Sequence, residues 1–341
     1  MARFRQSFLV RTVFGLLARV LALLVVLDLL ACLVPVDFSS IPYLSVLVAG
    51  TPWFILVGLL ALVLALLSSK WFTALLMIIC LAVNISWQYP FYSGEGDLPD
   101  RALKAVMAES PDRADDTARV MTMNVYKGRA DADAIVKAVR DNRVEVLALQ
   151  ETTAPFLDRL HQAGILKYLP YEQTASADKK YGNGLWTAAP MESPAKDDVN
   201  SVASQMPAGY IPFSGGRTRV RFVSVHTTSP TKGYWSMWKR SLGEVGNLKG
   251  HQDTRYVLLG DFNATWDHAP FRDLLGERFQ DAARQAGHGM TPTWPADRTG
   301  VPRLVALDHI VVDKGIQAGQ LKTLKIDGSD HAALLGTLVV D

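Results

Sequence analysis

"LLGDFNATWD", Leu258–Asp267, is the stretch on which the reading of this chain turns. Two leucines run into Gly260, and an acid and an amide follow at Asp261 and Asn263. Apolar residues that give way abruptly to polar ones describe a buried strand ending at an edge. Residues two apart on an extended chain share a face, so Asp261 and Asn263 are expected to project the same way. Taken alone, the stretch fits equally well a turn in which Asp and Asn cap their own backbone. Whether other strands end in the same manner separates the two readings.

Several do. "RVMTMNV" (Arg119–Val125) reads as a strand and carries Asn124, and "VEVLALQE" (Val144–Glu151) ends on Glu151. Between them "ADAIVKAVRDNR" (Ala132–Arg143) has apolar residues at helical spacing. "RVRFVSVH" (Arg219–His226) ends on His226, and "ALDHIVVD" (Ala306–Asp313) carries Asp308 and His309 near its start. "GSDH" puts Asp330 and His331 just ahead of a last strand, "ALLGTLVV" (Ala333–Val340). Trp235, Trp238, Leu242 and Val245 form a helical stripe that reads as a core face, with membrane contact by Tyr234, Trp235 and Trp238 as the alternative. Each polar residue has a plain reading: Glu151 as a helix cap before Thr152, His226 as a satisfied buried histidine. β-rich segments interspersed with helices predict a layered α/β domain.

The ordered series Asn124, "QE", "HxxxP", "GDFN", "DHI" and "SDH" resembles the endonuclease/exonuclease/phosphatase superfamily, the deoxyribonuclease I-like fold, over roughly 118–341. The resemblance implies a four-layered α/β sandwich, two packed mixed β-sheets flanked by helices, and a metal-dependent phosphoric ester hydrolase. It implies Glu151 as prime ligand of Mg²⁺, with Mn²⁺ as the alternative, helped by Asp330 and Asn124. It implies His331 as general base or phosphate contact, oriented by Asp308, and Asp261 as the group that orients or deprotonates water. Which of His331 and Asp261 takes the proton stays open. Asn263 is implied to donate to a phosphoryl oxygen, and His226 to stabilise the oxyanion or leaving group. Asn183 in "YGNGLWTAAP" and Trp294 in "TPTWP" are substrate-side candidates, against turn and local-packing roles. Thr187-Ala188 stands where many members carry Ser-Arg, so a basic phosphate contact is missing there. Arg217, Arg219 and Arg221 alternate along one strand face, as a basic strip or a solvated one.

The 341 residues carry 35 Lys+Arg and 33 Asp+Glu, a balance that offers no broad basic footprint for nucleic acid, though it leaves room for a local groove. The two cysteines, Cys32 and Cys80, both lie in apolar runs, which excludes cysteine-protease chemistry and Cys-ligated zinc from the rest of the chain. Three long apolar runs, 13–34, 44–67 and 71–88, are near the length of a spanning helix. Arg3, Arg5 and Arg11 precede the first and Lys70 separates the last two, whereas "PVDFSSIP" has no cation. The positive-inside rule then places the N-terminus in the cytoplasm and, after three crossings, residues beyond 88 outside a bacterial-type plasma membrane. A cleaved signal, or lipidation of Cys32 in "LLAC", is the rival reading. The expected organisation is an anchor (1–88), a polar linker (89–117) with a short helix near 102–108, and a catalytic domain (118–341). The expected function is a membrane-anchored Mg²⁺-dependent phosphodiesterase of nuclease type. The alternatives are a phospholipase C- or sphingomyelinase-like lipid phosphodiesterase and a catalytically silent binding module, with no obligate protein partner.

Overall fold

The computed structural model describes residues 2–33, 43–94, 97–107 and 115–340, with side chains from residue 8. The connection at 35–42, residues 95–96 and 108–114 of the expected linker, and the side chains of Arg3 and Arg5 lie outside them. The described chain forms two compact units, Met1–Pro90 with Asp267–Ala269, and Phe91–Trp266 with Pro270–Asp341.

The first unit is helical: α1 (Ala2–Leu33), α2 (Leu44–Ala49), α3 (Phe54–Leu67) and α4 (Trp71–Gln88). Two helices, Phe8–Leu33 and Trp71–Phe91, are long and apolar enough to cross a membrane. The second apolar run does not form one helix. It breaks at Gly50, turns through Thr51–Trp53 and resumes as α3. Pro52 removes a backbone donor, which accounts for the break. Small residues (Ala18, Ala22, Ala61, Ala65, Ala74) line the inside of the bundle, while Leu16, Leu23, Leu56, Leu60, Ile78 and Ile79 face outward. Polar groups lie inside: Thr51 Oγ1 donates to buried Asp28 at 3.0 Å, and Asn84 Nδ2 to the Thr51 carbonyl at 3.0 Å. Of the two charged residues within the apolar stretch of α1, Arg19 is exposed and Asp28 buried.

In the second unit, short α5 (Asp100–Met107) precedes β1 (Thr117–Asn124), α6 (Ala132–Asp141), β2 (Val146–Gln150) and α7 (Ala154–Gln162). β3 (Tyr171–Ala175), β4 (Asn183–Thr187), β5 (Glu192–Ala195), β6 (Ala208–Phe213) and β7 (Thr218–His226) lead to α8 (Trp235–Gly246) and β8 (Arg255–Asp261). After α9 (Ala269–Leu275) come β9 (Phe279–Asp281), α10 (Ala282–Ala286), β10 (Asp308–Asp313), β11 (Ile316–Leu324) and β12 (Ala333–Val340). Two mixed six-stranded sheets result, ordered β11-β12-β1-β2-β4-β3 and β5-β6-β7-β8-β10-β9.

Strand alternation divides the side chains. Val120, Val146, Ala148, Val220, Phe222, Val257, Leu259, Ile310 and Val312 form the layer between the sheets. Met121, Met123, Leu147 and Leu149 face the other way and pack with Ile135, Val139 and Phe156 of α6 and α7. Each sheet has one parallel pair near its centre, β1 with β2 and β7 with β8. Trp235, Trp238, Leu242 and Val245 are buried on α8, as a core stripe should be, while Tyr234 is exposed. Gly260 has a steric reason: a Cβ there would sit 1.9 Å from the Val225 carbonyl oxygen of the neighbouring strand.

Candidate active site

The same alternation delivers the polar residues. Asn124 follows Val120 and Thr122 on the inward face of β1, and His226 follows Val220, Phe222 and Ser224 on β7. Asp261 follows Val257 and Leu259 on β8, and Asp308 precedes Ile310 and Val312 on β10. Asp308 pairs with Asp261 in antiparallel register, and Asp261 with His226 in parallel register. The C-terminal ends of β1, β2, β7 and β8 and the N-terminal end of β10 therefore present inward polar side chains at one rim. His331 joins them from the segment before β12, whose N-terminal end lies beside the C-terminal end of β1.

At this rim Asn124 Nδ2 donates to Asp261 Oδ2 at 3.0 Å, and His331 Nδ1 donates to Asp308 Oδ2 at 2.7 Å. The free nitrogen of His331, Nε2, lies 3.8 Å from Asp261 Oδ2, and His226 Nε2 lies 3.7 Å from the same oxygen and 4.0 Å from Glu151 Oε1. Lys127 N donates to Glu151 Oε2 at 2.8 Å, and Glu151 itself takes a left-handed backbone, φ 60°. The structure thus gathers Asn124, Glu151, His226, Asp261, Asp308 and His331, all buried.

The electrostatics are concentrated. Burial, reinforced by the charge of Asp261, raises the Glu151 pKa to about 7. Burial would lower that of His331, but Asp308 and Asp261 override it and raise it to about 10. Burial lowers that of His226 and raises that of Asp330. Two neighbouring buried carboxylates with one raised pKa make a site short of positive charge. Asp330 Oδ1 is buried with no hydrogen-bond partner. Both observations fit a divalent cation held by oxygen ligands. Asn124 already accepts from Tyr126 N, so the lone pair left on its Oδ1 is what it has to offer such an ion. Asp261, Asp308 and His331 also place one ligand atom each within 4.8 Å of one another. Within this trio His331 Nδ1 is already engaged by Asp308 Oδ2, and the two carboxylates raise the His331 pKa.

Three expectations change. Asn263 does not share the face of Asp261 by strand alternation, because β8 ends at Asp261 and Asn263 has φ 48°. Asp261 Oδ1 accepts from Asn263 N at 2.8 Å, so Asp261 caps the turn with one oxygen and faces the site with the other. Asn263 Nδ2 donates to the Thr227 carbonyl at 3.0 Å. Asn183 is no turn residue: it opens β4, fully buried, and donates to Ser204 Oγ and the Gln205 carbonyl at 3.0 and 2.7 Å. Of the alternating arginines, Arg217 and Arg219 lie on a solvated face, Arg219 paired with Glu192, whereas Arg221 is buried on Asp198. Trp294 stays half-buried beside Thr293, whose hydroxyl accepts from Asp308 N at 3.3 Å.

Sequence reasoning missed the layer beneath. Gln150 accepts from Thr122 at 3.3 Å and donates to Ser224 at 3.1 Å, joining the two sheets by side chains that are all fully buried. The available signal was a polar residue at an inward position of each strand, two before Asn124 and two before His226. It also missed that His309, beside Asp308, points away from the site: its Nδ1 meets Asp281 at 2.6 Å and its Nε2 the Ala264 carbonyl at 2.8 Å.

The model of the Endonuclease/Exonuclease/phosphatase family matches residues 121–331, which contain every residue of this rim. The chain belongs to the endonuclease/exonuclease/phosphatase family. A member of that family from Bacteroides thetaiotaomicron is 14% identical, with a TM-score of 0.54 over 66% of this chain and 98% of the other. The mannosyl-6-phosphatase from the same species is 14% identical, at 0.53 over 65% and 99%. D. rerio TDP2 complexed with a single-strand DNA product is 17% identical, at 0.54 over 66% and 99%. At these identities the endonuclease/exonuclease/phosphatase neighbours establish the fold. No curated protein matches the chain.

Proposed function

We propose that this chain is a membrane-anchored, Mg²⁺-dependent phosphoesterase that hydrolyses phosphodiester bonds in the manner of a nuclease. The observation that carries the reading is the hydrogen-bonded His331–Asp308 pair set beside the Asp261 carboxylate at one buried rim. Glu151, Asp330 and Asn124 would hold the cation, which supplies charge neutralisation for the phosphoryl group. His331, held as an imidazolium, contacts a phosphoryl oxygen, and Asp308 fixes its ring. Asp261, already aligned by Asn124 and by its own turn, orients the attacking water and takes its proton. Of the two candidates for the base, a histidine protonated at neutral pH is the poorer. His226, neutral because burial lowers its pKa, donates to the developing oxyanion or the leaving group, and Asn263 to a phosphoryl oxygen.

Anchoring is supported by a bundle that is apolar outside and small or polar inside, the pattern of helices packed in lipid. Those helices also favour a second reading, a lipid head group as substrate. The deciding experiment uses the full chain in detergent with duplex DNA, single-stranded DNA, RNA and mixed phospholipid vesicles, with and without a chelator, and Asp261→Ala beside it. Chelator-sensitive cleavage of a nucleic acid, lost in the variant, supports the first reading, and cleavage of phospholipid supports the second. A folded, Mg²⁺-binding protein silent on all four sinks both and leaves a narrower small-molecule phosphate ester or a binding module.

A further inference from the structure

Next to the rim lies an exposed surface that hydrolysis does not use. Lys180 Nζ lies 6.0 Å from the ring centroid of Tyr181 and 5.8 Å from that of Tyr234, so two chain segments meet around one ammonium group. The rings are 50% and 49% exposed, large values for aromatic side chains on a water-facing domain. Met237, one helical turn after Tyr234 on α8, is 38% exposed. The companion positions Trp235 and Trp238 are buried, so α8 keeps its core stripe and still shows an apolar side chain outside. Lys179 and Lys232 flank the rings, both exposed, and neither they nor Lys180 form an ion pair among the described residues. Residues 227–240 contain three cations and no acid, and Asp178 is the one acid in 176–181. The surface borders the site, since the charge of Lys180 reaches His226.

We infer that this surface, made by Lys179, Lys180, Tyr181, Lys232, Tyr234 and Met237, docks onto the head groups of an anionic lipid leaflet. Tyrosine carries an apolar ring and a wet hydroxyl, the combination that settles at a membrane interface. Lysines beside it add attraction to anionic head groups that salt weakens. Aromatic rings among lysines also suit single-stranded nucleic acid, by stacking and charge. Met237 decides for lipid, because an exposed thioether chain gains from an acyl boundary and has no base to stack on. The chain also carries two helices long and apolar enough to cross a membrane. This docking is independent of which ester the site cleaves, so its test needs no turnover.

The test places an environment-sensitive fluorophore at Met237→Cys in the full chain, in nanodiscs of phosphatidylcholine alone or mixed with phosphatidylglycerol. The two native cysteines are buried, and the unsubstituted chain serves as the labelling blank. The expected result is a blue shift in anionic discs only, with quenching by nitroxide lipids. Salt, or the triple change Lys179→Glu, Lys180→Glu and Lys232→Glu, should reverse it. A fluorophore at Leu166→Cys, an exposed position after α7, should not respond. Equal emission in neutral and anionic discs overturns the proposal. So does a shift produced by added single-stranded DNA and not by anionic lipid, or one that survives the charge reversal.

Discussion

Asp308 Oδ2 holds the His331 ring through Nδ1, so its replacement separates orientation from chemistry. Asp308→Asn keeps the shape of the pair but cannot hold an imidazolium. Turnover of a phosphodiester substrate by the full chain should fall about 10²–10⁴-fold with KM little changed, as a kcat-against-KM comparison will show. Glu151 makes a pH prediction. Its pKa of about 7 lies above the ordinary carboxylate value, so without a cation it favours folding below about pH 4.3 and that contribution is lost as pH rises through 7. A cation needs the ionised form and must displace the proton in acid. Mg²⁺ affinity measured by calorimetry should weaken about tenfold between pH 8 and pH 6, and a flat profile would remove Glu151 from the ligand set. The clustering of these residues was legible in sequence because each falls at or beside a strand end. The turn at Asn263 was not, since nothing in "GDFN" alone says that the strand stops one residue after Gly260.

Two elements owe their fit to interactions the sequence concealed. β9 and β10 are tied by the buried pair of Asp281 and His309. Burial alone would push both toward neutrality, but each opposes that for the other, so the His309 pKa is raised and that of Asp281 lowered. The His309 contribution is complete below about pH 6.5 and is lost as pH climbs through its raised value. The Asp281 contribution is complete above about pH 3.9 and is lost as pH drops through its lowered value. His309→Leu leaves a buried carboxylate unpaired and should cost about 3–5 kcal/mol in denaturant unfolding of the full chain, with the neutral-pH plateau lost. The 28-residue separation of the partners explains why "DHI" reads as a site motif and not also as a clamp. Gly260→Ala drives a methyl group into the β7 backbone. It should cost about 1–3 kcal/mol or more and lower activity with stability, as paired unfolding and turnover measurements would reveal.

At the scale of the molecule, the helices should keep the chain in the pellet after alkaline carbonate extraction of membranes, and release into the supernatant would sink the anchor. The interruption at Gly50–Trp53 was legible as "GTPW" and outvoted by the apolar count on either side. The number of crossings decides which compartment the phosphoesterase meets, and a C-terminal alkaline phosphatase fusion, active only outside, reads it directly. The two-sheet core was legible as a fold class, whereas the sheet order was not, because strand neighbours are chosen by contacts far apart in sequence. That order has a consequence for ligands. Asn124 lies on one sheet and Glu151 directly follows a strand of that sheet, whereas His226, Asp261 and Asp308 lie on the other. Any ion or phosphate bound among them bridges the seam between the layers like a rivet, resisting their separation as well as occupying the site.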